Sequence, residues 1–346
     1  MFNLTEVLTP IWESVLGCSP IGIDDNFFDL GGDSSLALKL FTKIAEECGR
    51  ELPPVMIYQA PTIAALAAAL EQPSLPPFAP LVLLKAGKAG LPVFIAHGMG
   101  GNAMDFFQLV KYIRSPHPIY GMQSKGLDGV EEPFDRIEDM AQFFLDAIRE
   151  VQPHGPYLLM GYSLGGLVAL EMAQRLTENG ERVALLSLLE SYPHRNYLPA
   201  KQRLRLFARS LRHHAATLVR LPVREAFSYL MRPARRLAYI FPDSNENGRN
   251  PRPVDVWFTP AVMRMRDRAY QALKRYRPRY YRGQVHFVRA QRCTEFPQDP
   301  AGVWADLVAE FMVETVPGGH LEIINTHFES LGAVLSRHLE EASHQE

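Results

Sequence analysis

Tyr157-Leu158-Leu159-Met160-Gly161-Tyr162-Ser163-Leu164-Gly165 is the stretch on which the fold turns. Its first four residues have the apolar continuity of a buried strand, and Leu167, Leu170, Met172 and Ala173 follow with the spacing of a helix. Gly-x-Ser-x-Gly between a strand and a helix predicts a nucleophile elbow. The serine stands there on a sharp, strained turn, and the glycines let neighbouring backbone pass close by. A plain Gly-Ser turn of any α/β protein would show the same five letters, so the flanking strand and helix carry the reading.

Other short apolar runs surround this one: Pro92 to Ala96, Val183 to Leu189 and Val285 to Val288, with helical periods at Ile137 to Val151 and Leu164 to Thr177. Continuous apolar strands alternating with helices predict a mostly parallel sheet covered on both faces. Such sheets collect their chemistry at the carboxyl ends of the strands. A serine nucleophile needs a base, and the base needs an orienting acid. His320 fits the base, because Val316-Pro317-Gly318-Gly319-His320 places it on a turn after the apolar segment Phe311 to Val316. His286 lies within a strand and reads as packed, His213 and His214 fall in a basic segment, and His338 and His344 are near the terminus. Glu190 ends the run Val183 to Leu189 and gives the order Ser163, Glu190, His320 of the α/β-hydrolases. Glu295 and Asp299, after the next strand, are the rival acids, and Glu190 is preferred. His97-Gly98-Met99-Gly100-Gly101 follows the first long strand. Its Met99 N–H, together with the N–H of Leu164, is the expected oxyanion hole, with His97 structural.

Upstream the pattern differs. Residues 3–72 read as helical, with Leu8, Trp12 and Leu16 and then Ala37, Phe41, Ile44 and Cys48 forming apolar stripes. Ten acids against three basic residues make this stretch strongly acidic. Residues 73–80 hold four prolines and predict an extended linker. Between His194 and Arg236, eleven basic residues face one acid in a helical insertion typical of a lid or docking surface, and the two opposed charges suggest a salt-sensitive attraction. Asp25-Asn26-Phe27-Phe28-Asp29-Leu30-Gly31-Gly32-Asp33-Ser34 ends in a serine that opens a helix, where free N–H groups and the helix dipole favour a phosphodiester. Ser34 or Ser35 would serve equally as a helix cap. The expected organisation is a helical domain at 1–72, a linker at 73–80 and a hydrolase at 81–346, with the lid at about 194–256.

The bulk composition agrees. At 346 residues the chain suits about two domains. With 47% hydrophobic and 21% charged residues it should fold, and a net charge of -2 argues against a protein built around nucleic-acid phosphates. Three cysteines in no metal-type spacing support neither a disulfide framework nor a zinc site, so no metal is expected. The longest apolar stretch, Ile63 to Leu70, is too short to span a bilayer, and the acidic first thirty residues lack a secretion signal. A cytoplasmic setting, without membrane or nucleic-acid partners, is the expectation.

Taken together, these motifs resemble a known pair of families over nearly the whole length. Asp24 to Ser34 resembles the attachment motif of a nonribosomal peptide synthetase carrier domain. Gly161 to Gly165 with Gly319-His320 resembles the type I terminal thioesterase that follows such carriers, as do Tyr276-Arg277-Pro278 and Trp304. The resemblance implies a small all-α four-helix carrier bundle followed by an α/β-hydrolase fold with a helical lid. It also implies 4'-phosphopantetheine on Ser34, nucleophile Ser163, base His320 and an acid at Glu190, where the family normally has aspartate. Implied partners are a phosphopantetheinyl transferase, upstream condensation and adenylation modules, and the tethered acyl or peptidyl chain. Two rival readings stand beside it: a lipase or carboxylesterase with a fused helical domain, and a carrier or docking module whose hydrolase half is inactive.

Overall fold

A computed structural model describes residues 4–32, 34–50, 52, 56–72, 78–127, 130–208, 260–292 and 296–343. The N-terminal helices are α1 (Leu4–Leu16), α2 (Ser34–Cys48), the short α3 (Met56–Gln59) and α4 (Ile63–Glu71). Leu8, Ile11 and Trp12 of α1 meet Ala37, Leu40, Phe41 and Ile44 of α2 and Ile63, Leu66 and Leu70 of α4 in one buried cluster, as the apolar stripes require. Thr62 caps α4 by accepting the Ala65 N–H at 3.1 Å. No strand occurs among the described residues of this bundle.

Seven strands follow: β1 (Leu81–Lys85), β2 (Val93–Ala96), β3 (Ile119–Met122), β4 (Tyr157–Tyr162), β5 (Val183–Leu189), β6 (Tyr281–Arg292) and β7 (Val308–Gly319). They form one sheet in the order β1-β3-β2-β4-β5-β6-β7, and all are parallel to their neighbours except β1. Both faces are apolar because successive side chains point to opposite sides. Phe94 and Ala96 of β2 pack with α6 (Ile137–Val151) and α7 (Leu164–Glu178). Val93 and Ile95 pack on the other face with α5 (Phe107–Tyr112) and the C-terminal helix. The remaining helices are α8 (Pro260–Arg275), α9 (Ala301–Trp304), α10 (Glu322–Asn325) and α11 (Phe328–Ser343).

Two strands run longer than their apolar runs. β4 reaches Tyr162, two residues into the elbow motif, and β6 carries Arg282, Gln284 and Arg289 within it. Backbone pairing with a neighbour, rather than side-chain polarity, decides where a strand ends, and β6 pairs with β7 along most of its length. The expected linker falls mostly on residues 73–77, outside the described residues. Its end is pinned: Phe78 stacks on Phe143, and Gln123 donates its backbone N–H to Pro80 O (2.9 Å) and its side-chain amide to Ala79 O (2.8 Å). Most of the basic insertion, residues 209–259, also lies outside the described residues.

Two buried polar clusters fasten helices to the sheet. Tyr276 donates to Glu171 at 3.1 Å, and Arg279 reaches the same carboxylate at 3.4 Å, tying the segment after α8 to α7. His338 lies 2.9 Å from both Ser187 on β5 and Glu314 on β7. Burial pushes its imidazole down to about 4, so it joins α11 to the sheet as a neutral group. Proximity to the terminus had marked it as dull, whereas it is 1% exposed.

The turn Ala103–Phe106, a single 3-10 turn leading into α5, contains Asp105, whose carboxyl is pushed by burial from its usual 3.8 up to about 6. A raised acid costs stability once ionised, and the cost builds between pH about 4 and about 6. Asp105→Asn should therefore raise the thermal midpoint by about 2–4 °C above pH about 7, with a smaller gain near pH about 4.5, as scanning calorimetry would show.

Candidate active site

Ser163 separates β4 from α7 with φ 55° and ψ -117°, a conformation that an L-residue holds only when its surroundings impose it. The surroundings here are backbone. A Cβ at Gly161 would overlap the carbonyl oxygen of Gly165, and one at Gly165 would overlap the carbonyl oxygens of Ala96 and His97. Only glycine at both positions lets the strand, the turn and the end of β2 cross this closely. Ser163 N–H donates to Leu189 O at 2.8 Å, which fixes the elbow against β5.

His320 follows β7 directly, and its Nε2 stands 3.1 Å from Ser163 Oγ. Its Nδ1 faces Glu190 Oε2 at 3.6 Å, within ion-pair range but longer than a hydrogen bond. Glu190 is fully buried at the end of β5 with φ 48°. It is held there from both ends, by Glu190 N–H to Val288 O (2.8 Å) and by Oε1 accepting the Ala290 N–H (2.7 Å). One carboxylate oxygen is thus committed to β6, and the extra methylene of glutamate lets the other face the imidazole.

The structure brings Ser163, His320 and Glu190 together. It places Asp299 elsewhere: its Oδ1 accepts the Gly302 N–H (2.9 Å) at the start of α9, and its Oδ2 accepts from Gln202 (3.0 Å) and meets Arg205 (3.4 Å). The Gly302 N–H foremost holds that carboxyl below its ordinary value. Glu295 lies outside the described residues. Met99 sits in the turn after β2 closed by Gly101 N–H to Gly98 O (3.2 Å), and Leu164 is the first residue of α7, where N–H groups lack an acceptor within the helix. His97 is buried, with Nδ1 2.6 Å from Gly98 O and its ring edge-on to Phe144. Burial lowers it to about 4, so it is neutral at ordinary pH and donates to that carbonyl.

Three residues around His320 escaped the sequence reading. Tyr162 stacks its ring on the imidazole (centroids 5.0 Å, 26° between planes) and donates its hydroxyl to the His320 carbonyl at 2.8 Å. Phe296 lies against the imidazole at 4.6 Å. Glu322 accepts the Gly319 N–H at 3.0 Å and pairs with Arg292; that N–H and the guanidinium hold it below the usual carboxylate range. Tyr162 stood inside the motif, but nothing local signals that its partner is 158 residues away.

In the helical bundle, Ser34 is the first residue of the 15-residue α2. The turn before it is closed by Gly32 N–H to Phe27 O (2.9 Å) and Phe28 N–H to Asn26 Oδ1 (2.9 Å). A helix N-terminus headed by a hydroxyl-bearing residue suits a phosphodiester.

Comparison with known proteins matches residues 91–339 to the thioesterase domain model. The chain belongs to the thioesterase domain family. Residues 6–70 match the phosphopantetheine attachment site model, so the carrier unit bears covalent 4'-phosphopantetheine. The thioesterase chain is 41% identical over 198 residues to a dimodular nonribosomal peptide synthase of Bacillus subtilis (strain 168), covering 57% of this chain and 8% of that one. It is 37% identical over 179 residues to an indigoidine synthase of Dickeya dadantii (strain 3937), covering 52% of this chain and 12% of that one. The chain therefore spans only a small part of the length of these relatives. Among solved structures, a holo four-domain nonribosomal peptide synthetase bound to AMP and glycine shares the fold, with TM-score 0.57 and 24% identity over 97% of this chain and 26% of that one.

The thioesterase geometry predicts a role for the Tyr162 hydroxyl separate from its ring. Tyr162→Phe keeps the stack and loses the bond to the His320 carbonyl, so kcat on a soluble thioester should fall about tenfold with KM unchanged. Steady-state kinetics check this, and a change confined to KM would contradict it.

Proposed function

We propose that this chain is the release unit of a nonribosomal peptide synthetase. An acyl or peptidyl chain held at Ser34 is passed to Ser163 and freed by water, or by a nucleophile of the chain itself to give a ring. The observation that carries the reading is the Ser163, His320 and Glu190 arrangement on one chain with a carrier bundle before it. The division of labour follows the organisation expected from the sequence: carrier at 1–72, linker at 73–80, thioesterase at 81–346. The 4'-phosphopantetheine supplies a thiol on a flexible arm, which presents the acyl group as a thioester.

Ser163 Oγ attacks the thioester carbonyl carbon while its proton passes to His320 Nε2. Glu190 favours the imidazolium and keeps the Nδ1 proton directed at itself. The N–H groups of Met99 and Leu164 receive the developing oxyanion, aided by the positive end of α7. The carbon–sulfur bond then breaks, and His320 returns its proton to the leaving sulfur. Water or a substrate amine or hydroxyl attacks the ester on Ser163 by the same path, and Ser163 regains its proton. A phosphopantetheinyl transferase and upstream condensation and adenylation modules would be the partners, in a cytoplasmic setting that suits the free thiols of Cys18 and Cys48.

Glu190→Gln should lower kcat by about a thousandfold to ten-thousandfold, as when a triad acid becomes its amide. The amide oxygen would keep the Ala290 N–H and turn an NH2 group towards Nδ1, reversing the tautomer. The whole reading is tested by loading the chain with an acyl-coenzyme A and a phosphopantetheinyl transferase and following its mass. The expected result is acylation of the Ser34 peptide followed by release, with the acyl group retained in Ser163→Ala. Ser34→Ala should take no load yet still cleave a soluble thioester. A thioester that persists on the wild-type chain would overturn the proposal.

A further inference from the structure

The short element that follows the oxyanion loop has two faces. Phe106 turns inward and meets Tyr162 edge-on at 6.4 Å, directly beneath His320. Met104 and Phe107 turn the other way and join the apolar cluster of the carrier bundle, where Met104 retains only 6% of its surface. An unbroken series of rings links the two bodies. Trp12 meets Phe27 edge-on at 5.3 Å, Phe27 meets Phe28 at 5.4 Å, and Phe28 lies on Phe107 at 4.0 Å. At the rim, Lys111 of α5 stands over the Phe107 ring at 4.9 Å and approaches Asp29 at 4.0 Å.

We infer that Met104, Phe107 and Lys111 form the seat on which the thioesterase receives its own carrier for acyl delivery. The inference rests on the release reading above and deepens it. The carrier residues seated there, Phe28 and Asp29, belong to the turn that runs into Ser34, and the seat shares its backbone with the residue packed under Tyr162. Docking at this point seats the turn that runs into α2 on the element that follows the turn after β2. The contact has the make-up of a compact docking site: an aromatic anchor desolvated at the centre and an ion pair at the rim. Its acidic carrier component, Asp29 facing Lys111, agrees with the charge of the bundle; the expected attraction to the arginine-rich insertion falls mostly on residues 209–259, outside the described residues.

The rim charges are exposed, so reversing them leaves both folds intact. Phe107→Glu places a charge within the apolar contact, and Lys111→Glu sets a second acid against Asp29 at the rim. Both are compared in the holo chain on two substrates: the acyl group loaded on its own carrier, and the same acyl group as a soluble N-acetylcysteamine thioester. Carrier-delivered release should fall about tenfold or more in Phe107→Glu and several-fold in Lys111→Glu, with soluble-thioester turnover within about twofold of wild type. Adding Asp29→Lys to Lys111→Glu should recover most of the loss, because opposite charges again face each other. Equal rates of carrier-delivered release in Phe107→Glu and wild type would overturn the seat. Equal loss on both substrates would assign Phe107 to the hydrolase core and overturn it too. Failure of the wild-type chain to cleave either substrate would instead contradict the release reading, so the two are told apart.

Discussion

Everything at the centre of this molecule depends on three stretches of backbone passing within contact distance: the end of β2, the end of β4 and the first turn of α7. With glycine at 161 and 165, the carbonyls of Ala96, His97 and Gly165 occupy space that any Cβ would claim. That crossing holds Ser163 at a positive φ and sets it on the sharp turn between β4 and α7. The position of Ser163 is thus set by one steric constraint. His320 beyond β7 and Glu190 beyond β5 come to it from other strand ends, where a parallel sheet gathers its loops.

Glu190 shows how one carboxylate can join two strands and still face an imidazole. Its backbone adopts a φ of 48°, and one oxygen joins β5 to β6 through the Ala290 N–H. An aspartate in the same backbone would have less reach to span both Ala290 and His320. The longer side chain reaches both partners, with Oε1 2.7 Å from the Ala290 N and Oε2 3.6 Å from His320 Nδ1.

The elbow was legible in the sequence because its constraint is local: a strand, two glycines and a helix within a few residues. Ser163, His320 and Glu190 could be chosen because each ends or follows an apolar run, and the carboxyl ends of parallel strands converge. Chain order does not separate Glu190 from Asp299, since both lie between Ser163 and His320; the preference rested on which strand each follows, and in the structure Asp299 accepts the Gly302 N–H at the start of α9. Contacts between distant residues left no local mark. The Tyr162 bond to the His320 carbonyl, the Phe296 ring on the imidazole and the His338 link between β5 and β7 each require the finished sheet. The seating of Phe28 on Phe107 was equally hidden, since the two residues are far apart in the chain and nothing beside either one marks the other.

The central claim is that the strained turn makes Ser163 the reactive serine of the chain. Its most direct test is the stoichiometry and position of labelling by an alkyl fluorophosphonate, read by mass spectrometry of the peptides. One label per chain, on Ser163 and absent from Ser163→Ala, is the expected result. No labelling of the wild-type chain, or equal labelling of Ser163→Ala, would contradict it.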